Sequence, residues 1–215
     1  MPIGLFFVNS PMILAADDPL KVEKGQLTFD AEGTEGGAFH SRKASVPSKS
    51  SGLTIGRGYD MKEKIAKKIE TDMKAAGVAE KDAKVFARAA GLSGAAAEKF
   101  LADHKAELVE ISKEQQKKLF VATYDELEAD VKRICAKDDV VAKYGKTDWD
   151  KLNVKIREVL VDLRYRGDYH TESRMKIQSL VAKNDLPGFT KVLSDKEAWK
   201  GVPKDRFERR KTYLE

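Results

Sequence analysis

The chain has 215 residues, of which 41% are hydrophobic, enough for one globular domain or one domain with a small appendage. Lys and Arg number 40 against 35 Asp and Glu, a net charge of +5 with the two signs interspersed, so most charge reads as solvated helix faces with a modest surplus that favours an anionic polymer: nucleic acid, an acidic membrane or a bacterial wall. One cysteine, Cys135, excludes an internal disulfide and reads as a small buried residue on a helix.

In chain order, residues 1–24 form an N-terminal extension ahead of a domain over 25–215. Its apolar stretch Ile3 to Ala16 is too short to span a bilayer, is broken at Asn9, Ser10 and Pro11, and has no positive side chain before Lys21. A leader or delivery segment and a peptide packed on the domain both stay open. No stable membrane insertion is expected.

Residues 25–60 hold seven of the fifteen glycines, with Leu53 and Ile55 alternating as in a short strand. From Met61 onward the pattern is helical. Met61, Ile65, Ile69 and Met73 recur every four residues and Gly77 supplies a stop. A short helix through Val85, Phe86 and Ala89 ends at Gly91, and Ser93 opens another carrying Phe100 and Leu101. Ser112 and Gln115 have the spacing of a capping box and start a long helix reaching Cys135. Residues 137–148 read as a loop. Helices resume over about 151–164, 172–182, 189–193 and 203–214, with Pro203 placed for a first turn. The fold class is therefore α+β: a small glycine-rich β or loop lobe (about 25–60) and a mainly helical body. A cleft between such lobes is a common place for a ligand.

The stretch SGLTIGRGYD (51–60) raises the functional question. A phosphate cradle is disfavoured, because GxxxxGK[ST] is absent and one GxG carries little information. His40, His104 and His170 have no metal-ligand spacing, so neither a metal nor another cofactor is expected. No GxSxG elbow marks a nucleophilic serine. Nucleic acid is an unsupported partner without a helix-turn-helix signature or aromatics interleaved with basic residues. A carboxylate pair fits better. Glycoside hydrolysis needs one protonated acid for the leaving oxygen and one ionised carboxylate for water or for attack on the sugar. The acidic residues of the glycine-rich region are Asp30, Glu32, Glu35 and Asp60.

TIGRGYD resembles the TIGxGH-type segment of phage lysozymes, and EGTEGGAFHSRKASVPSKSSGLTIGRGYDM (32–61) is similar to the catalytic segment of pesticin-like muramidases, bacterial toxin relatives of phage lysozyme. The order Glu32, then Thr54, then Asp60 is the pesticin-like order. Phage lysozymes proper place the aspartate before the threonine. DRFERRKTYL (205–214) resembles the arginine-rich helix that ends the phage lysozyme domain, more loosely than 32–61 matches, and VDLRYRGDY (161–169) also resembles this family. The receptor-binding region found ahead of the catalytic part in such toxins has no counterpart in the residues before 25.

The resemblance implies a lysozyme-like fold and cleavage of the β-1,4 bond between N-acetylmuramic acid and N-acetylglucosamine. It implies Glu32 as general acid, with Glu35 its competitor, Asp60 as the carboxylate that positions or deprotonates water, and Thr54 as a hydrogen-bond partner of that water. Arg206 would lie beside the acid. Arg57 and Tyr59 would line the cleft, the ring against a sugar and the guanidinium against muramyl-peptide carboxylates. Plainer roles stay open for each: a helix cap for Asp60, a strand position for Thr54, core packing for Tyr59, a surface position for Arg206, a solvated loop for Glu32. The implied partner is the peptidoglycan strand, met by a monomer in the bacterial periplasm or wall. A producer exposed to the enzyme would need an immunity protein, of which the sequence shows nothing. A phage endolysin, a secretion effector and a bacteriocin fragment all fit. The alternatives are a lytic transglycosylase and a catalytically silent wall- or partner-binding domain.

Overall fold

The computed structural model describes residues 18–37 and 39–215; the apolar stretch Ile3 to Ala16 lies outside them. The described chain is mainly helical. Helix α1 spans Gln26–Ala31 and is followed by the strands β1 Thr54–Ile55 and β2 Tyr59–Asp60. Then come α2 Ala66–Ala76, α3 Glu80–Ala87, α4 Gly94–Asp103 and the long α5 Lys113–Cys135. The remaining helices are α6 Asp138–Tyr144, α7 Val154–Arg166, α8 Thr171–Ala182, α9 Leu186–Leu193 and α10 Lys204–Leu214, with a 3-10 turn at Trp149–Lys151. The two strands pair antiparallel, Thr54 opposite Asp60 and Ile55 opposite Tyr59. This composition agrees with α+β.

Two large apolar cores divide the molecule. One gathers Leu53, Ile55, Tyr59 and Met61 from the hairpin with Ile69, Met73, Phe86 and Phe100 from α2–α4. The other gathers Trp149, Val159, Leu163, Ile177, Phe189 and Phe207. Helix α5 belongs to both: Leu119 is in the first core, and Val131, Ile134 and Cys135 are in the second. Its start is fixed by the capping box that the sequence suggests. The Ser112 hydroxyl accepts from the Gln115 amide at 3.1 Å and the Gln115 side chain accepts from the Ser112 amide at 2.8 Å. Between the lobes, Phe29, Phe120, Tyr124 and Val161 form a small aromatic cluster, with Phe29 edge-on to Phe120 at 5.0 Å.

Three sequence expectations are corrected. The region 25–60 contains a helix, α1, that carries no apolar period of its own. Gly25 precedes it with φ 75° and no side-chain cap, and the orphan Gly25 amide donates to Glu158 of α7 at 3.0 Å. Helix α2 begins at Ala66, not near Met61: Met61 is buried in the bend after the hairpin and Ile65 is 72% exposed. Residues 138–144 are helical because Asp138 and Asp139 occupy the first turn, Val140 is buried and Gly145 closes the end with φ 97°.

Candidate active site

Helix α1 places Glu32. The buried face Leu27, Thr28 and Phe29 packs against α7 and α10, and Glu32 follows as the C-cap, its amide donating to the Thr28 carbonyl at 3.0 Å. Its side chain is 21% exposed. Oε1 accepts from Arg206 Nη2 at 2.7 Å; among the described residues no donor reaches Oε2. Burial raises the Glu32 carboxyl above the ordinary glutamate range, and the Asp162 charge adds to this. The Arg206 charge and hydrogen bond pull the other way without cancelling it. Glu32 therefore keeps a proton to higher pH than a free glutamate.

Behind Glu32 lies a buried ionic network that the sequence did not reveal. Asp162, fully buried on α7, accepts from Arg206 Nε at 3.0 Å, Arg206 Nη2 at 2.6 Å, Arg210 Nε at 2.6 Å and the Thr28 hydroxyl at 2.9 Å. Arg210 continues to Asp168 at 2.9 Å, and Asp168 also pairs with Arg166. The i,i+4 spacing of Arg206 and Arg210 on α10 points both guanidinium groups at one face. Arg206 beside Glu32 is what the resemblance implies, whereas nothing in the sequence marks Arg210.

Glu35, three residues on, has the opposite environment. Burial alone would raise it, but hydrogen bonds from Arg42 at 2.9 Å and Gln116 at 2.7 Å, with the charges of Arg42 and Arg57, hold it below the ordinary range. It is an ionised structural carboxylate. Of the two glutamates, only Glu32 is raised above the ordinary range.

The hairpin presents the remaining candidates by the alternation of its strands. Leu53, Ile55, Tyr59 and Met61 point into the core, which leaves Thr54 and Asp60, directly opposite each other, on the half-exposed face. Asp60 does not cap a helix. Its carboxylate accepts from the backbone amides of Gly52 at 3.1 and 3.2 Å and of Lys62 at 2.8 Å, which closes the open end of the hairpin. The Thr54 hydroxyl donates to the Gly52 carbonyl at 3.2 Å.

Two expected cleft residues are corrected. Tyr59 is 1% exposed and donates to Asp72 at 2.8 Å, so its ring offers no face to a sugar. Arg57 is also buried. Its Nη1 donates to the carbonyls of Phe29 at 2.5 Å and Gly33 at 2.9 Å, and its guanidinium lies 3.9 Å from the Phe29 ring centre. Arg57 is a strut joining the hairpin turn to the end of α1. Arg206 is engaged by Glu32 and Asp162, so its guanidinium meets the candidate acid.

The glycines serve the same internal fit. A side-chain carbon at Gly52 would lie 2.6 Å from the Asp60 carboxylate, and one at Gly58, where φ is 86°, 2.6 Å from the Tyr165 ring. Tyr165 of α7 in turn donates to the Arg57 carbonyl at 2.7 Å. Its phenol is pushed well above its usual range, by burial first and by the nearby Glu32 charge second, so it is no proton donor to Glu32 chemistry. Thus the end of α1, the hairpin turn, α7 and α10 converge around Glu32.

Fold and site together define a mainly helical protein with two large apolar cores and a mostly buried glutamate, raised above its ordinary range, at the end of α1 beside Arg206 of α10. Residues 25–211 match the domain of unknown function DUF8812, and the chain belongs to that family. No curated protein matches it. Among the described residues, no cluster of three or more His, Cys, Asp or Glu is placed to hold a metal ion, and no helix is long and apolar enough to cross a membrane.

Proposed function

We propose that this chain is a peptidoglycan muramidase of lysozyme-like fold, cleaving the β-1,4 bond between N-acetylmuramic acid and N-acetylglucosamine. The observation that carries the reading is Glu32: partly buried, holding its proton above the ordinary glutamate range, and hydrogen-bonded to Arg206 of the last helix. The resemblance of 32–61 to pesticin-like muramidases and of 205–214 to the arginine-rich helix that ends the phage lysozyme domain implies that pair.

In this reading Glu32 Oε2, the oxygen with no donor, faces the glycosidic oxygen and protonates it as the bond breaks. Asp60 and Thr54 sit on the open face of the hairpin, where they would hold the attacking water. The route is then exported or delivered to the wall, and the +5 charge favours an anionic polymer.

Asp60 favours a second reading. Both its oxygens already accept backbone amides, as a structural tie would. A lytic transglycosylase needs no water-positioning carboxylate: the sugar's own 6-hydroxyl closes on the anomeric carbon. One digestion separates the two. Purified peptidoglycan treated with the wild type should release muropeptides with new reducing ends. Anhydro products, one water lighter and with no new reducing end, establish the transglycosylase. Glu32→Gln should abolish either product and Glu35→Gln should not remove the chemistry. No release of any kind by a folded wild type would overturn the enzyme reading and leave a silent binding domain.

A further inference from the structure

Arg206 presents a difficulty for any acid role of Glu32. A guanidinium 2.7 Å from a carboxyl oxygen stabilises the ionised form. The same nitrogen, however, also donates to Asp162 at 2.6 Å, and the neighbouring Nε donates to Asp162 at 3.0 Å. One arginine therefore faces two carboxyl groups through one edge. Asp162 is the better placed of the two: it is fully buried and takes two of the bonds, and it is locked from below by Thr28 and Arg210.

We propose that Asp162 is the positioning residue of the acid: it orients the Arg206 guanidinium and neutralises it, so that Glu32 gains a hydrogen-bond partner without a full opposing charge. The inference rests on Glu32 being the acid, but concerns a residue that touches no substrate. The groups facing Glu32 are Arg206 and Arg210 from α10, and Asp162 and Tyr165 from α7. Tyr165 stays neutral over the working range, which leaves Asp162 as the one negative charge opposing two positive ones. Removing it should shift Glu32 toward its ionised form, and the direction of the Asp162 influence on Glu32 agrees.

The test is a carbon-13 NMR titration of the Glu32 carboxyl in the full chain. In Asp162→Asn the Glu32 midpoint should move to lower pH than in the wild type. Because Asp162→Asn leaves Arg206 and Arg210 without their shared partner, it can fail to fold. The charge-balanced double variant Asp162→Asn, Arg210→Gln then carries the test, with the same direction expected. If the variants are active, the alkaline limb of the kcat/KM profile, which reports loss of the protonated acid as pH rises, should shift to lower pH by the same amount. A folded variant whose Glu32 midpoint stays in place or rises overturns the proposal, whatever its activity. A wild type with no activity on peptidoglycan, combined with a shifted midpoint, overturns the muramidase reading and leaves the role of Asp162 standing.

Discussion

Two glutamates three positions apart are driven in opposite directions by their surroundings, and this gives a signed prediction. Glu32 is raised. Between the ordinary value of about 4.3 and its folded value, the native state binds more protons than the unfolded chain, so its contribution to stability falls as pH rises through that window. Glu35 is lowered, so its contribution is present above the ordinary value and is lost as pH falls through the folded one. Thermal melts from pH 3 to 8 should show Glu32→Gln gaining on the wild type as pH rises and Glu35→Gln losing ground. Equal slopes for both variants would contradict the assignment. On the muramidase proposal, Glu32→Gln should also lower the rate of glycan cleavage by about 100-fold or more, the usual worth of a general acid. At Gly58 the structure predicts steric failure. Alanine there meets the Tyr165 ring at a left-handed φ, a cost of about 2–4 kcal/mol in urea unfolding. Gly77→Ala, with a similar φ but open space, should cost about 1 kcal/mol.

Helix α5 is where sequence and structure agree most closely. Removing its cap with Ser112→Ala should cost about 1 kcal/mol, measured by the urea midpoint with an unchanged slope. Such signals are local: a hydroxyl, a glutamine three residues on, an apolar period. Helix α1 had none of them. Its start is satisfied by Glu158 and its buried Thr28 by Asp162, partners 133 and 134 residues away in sequence. The role of Arg57 was hidden in the same way, while for Tyr59 core packing stood open beside the cleft and is what the structure shows. An arginine on a glycine-rich turn reads as ligand-facing until the Phe29 and Gly33 carbonyls claim it. Glu32, Thr54 and Asp60 were singled out by the resemblance, whose expectation of Arg206 beside Glu32 the structure meets; the network of Asp162, Arg210 and Asp168 was not legible, because nothing local distinguishes a buried aspartate on a helix from a solvated one. The helix at 138–144 shows the converse error. Two aspartates and a later glycine suggest a loop, but at a helix start and end they are favourable.

At the scale of the molecule, the two cores share α5 as a common member, with Phe120 and Tyr124 packed midway along it. Truncating a buried ring in either core, Phe86→Ala or Phe189→Ala, should cost about 3–5 kcal/mol. Since both cores grip one helix, each variant should still unfold in one transition by circular dichroism and fluorescence. Two resolved transitions in either variant would show that the lobes melt independently.

The pair of Glu32 and Arg206 spans 174 residues, from the end of the first described helix to the start of the last. Contacts of such separation form late, because the intervening chain must be gathered first. During synthesis, the partner that completes the acid's environment emerges only after nearly everything between has been made. A nascent chain stopped before Lys204 has Glu32 without its arginine and Asp162 without either counter-charge. The order of translation thereby bears on the order of assembly: the candidate acid site is completed only once α10 has followed the helices between.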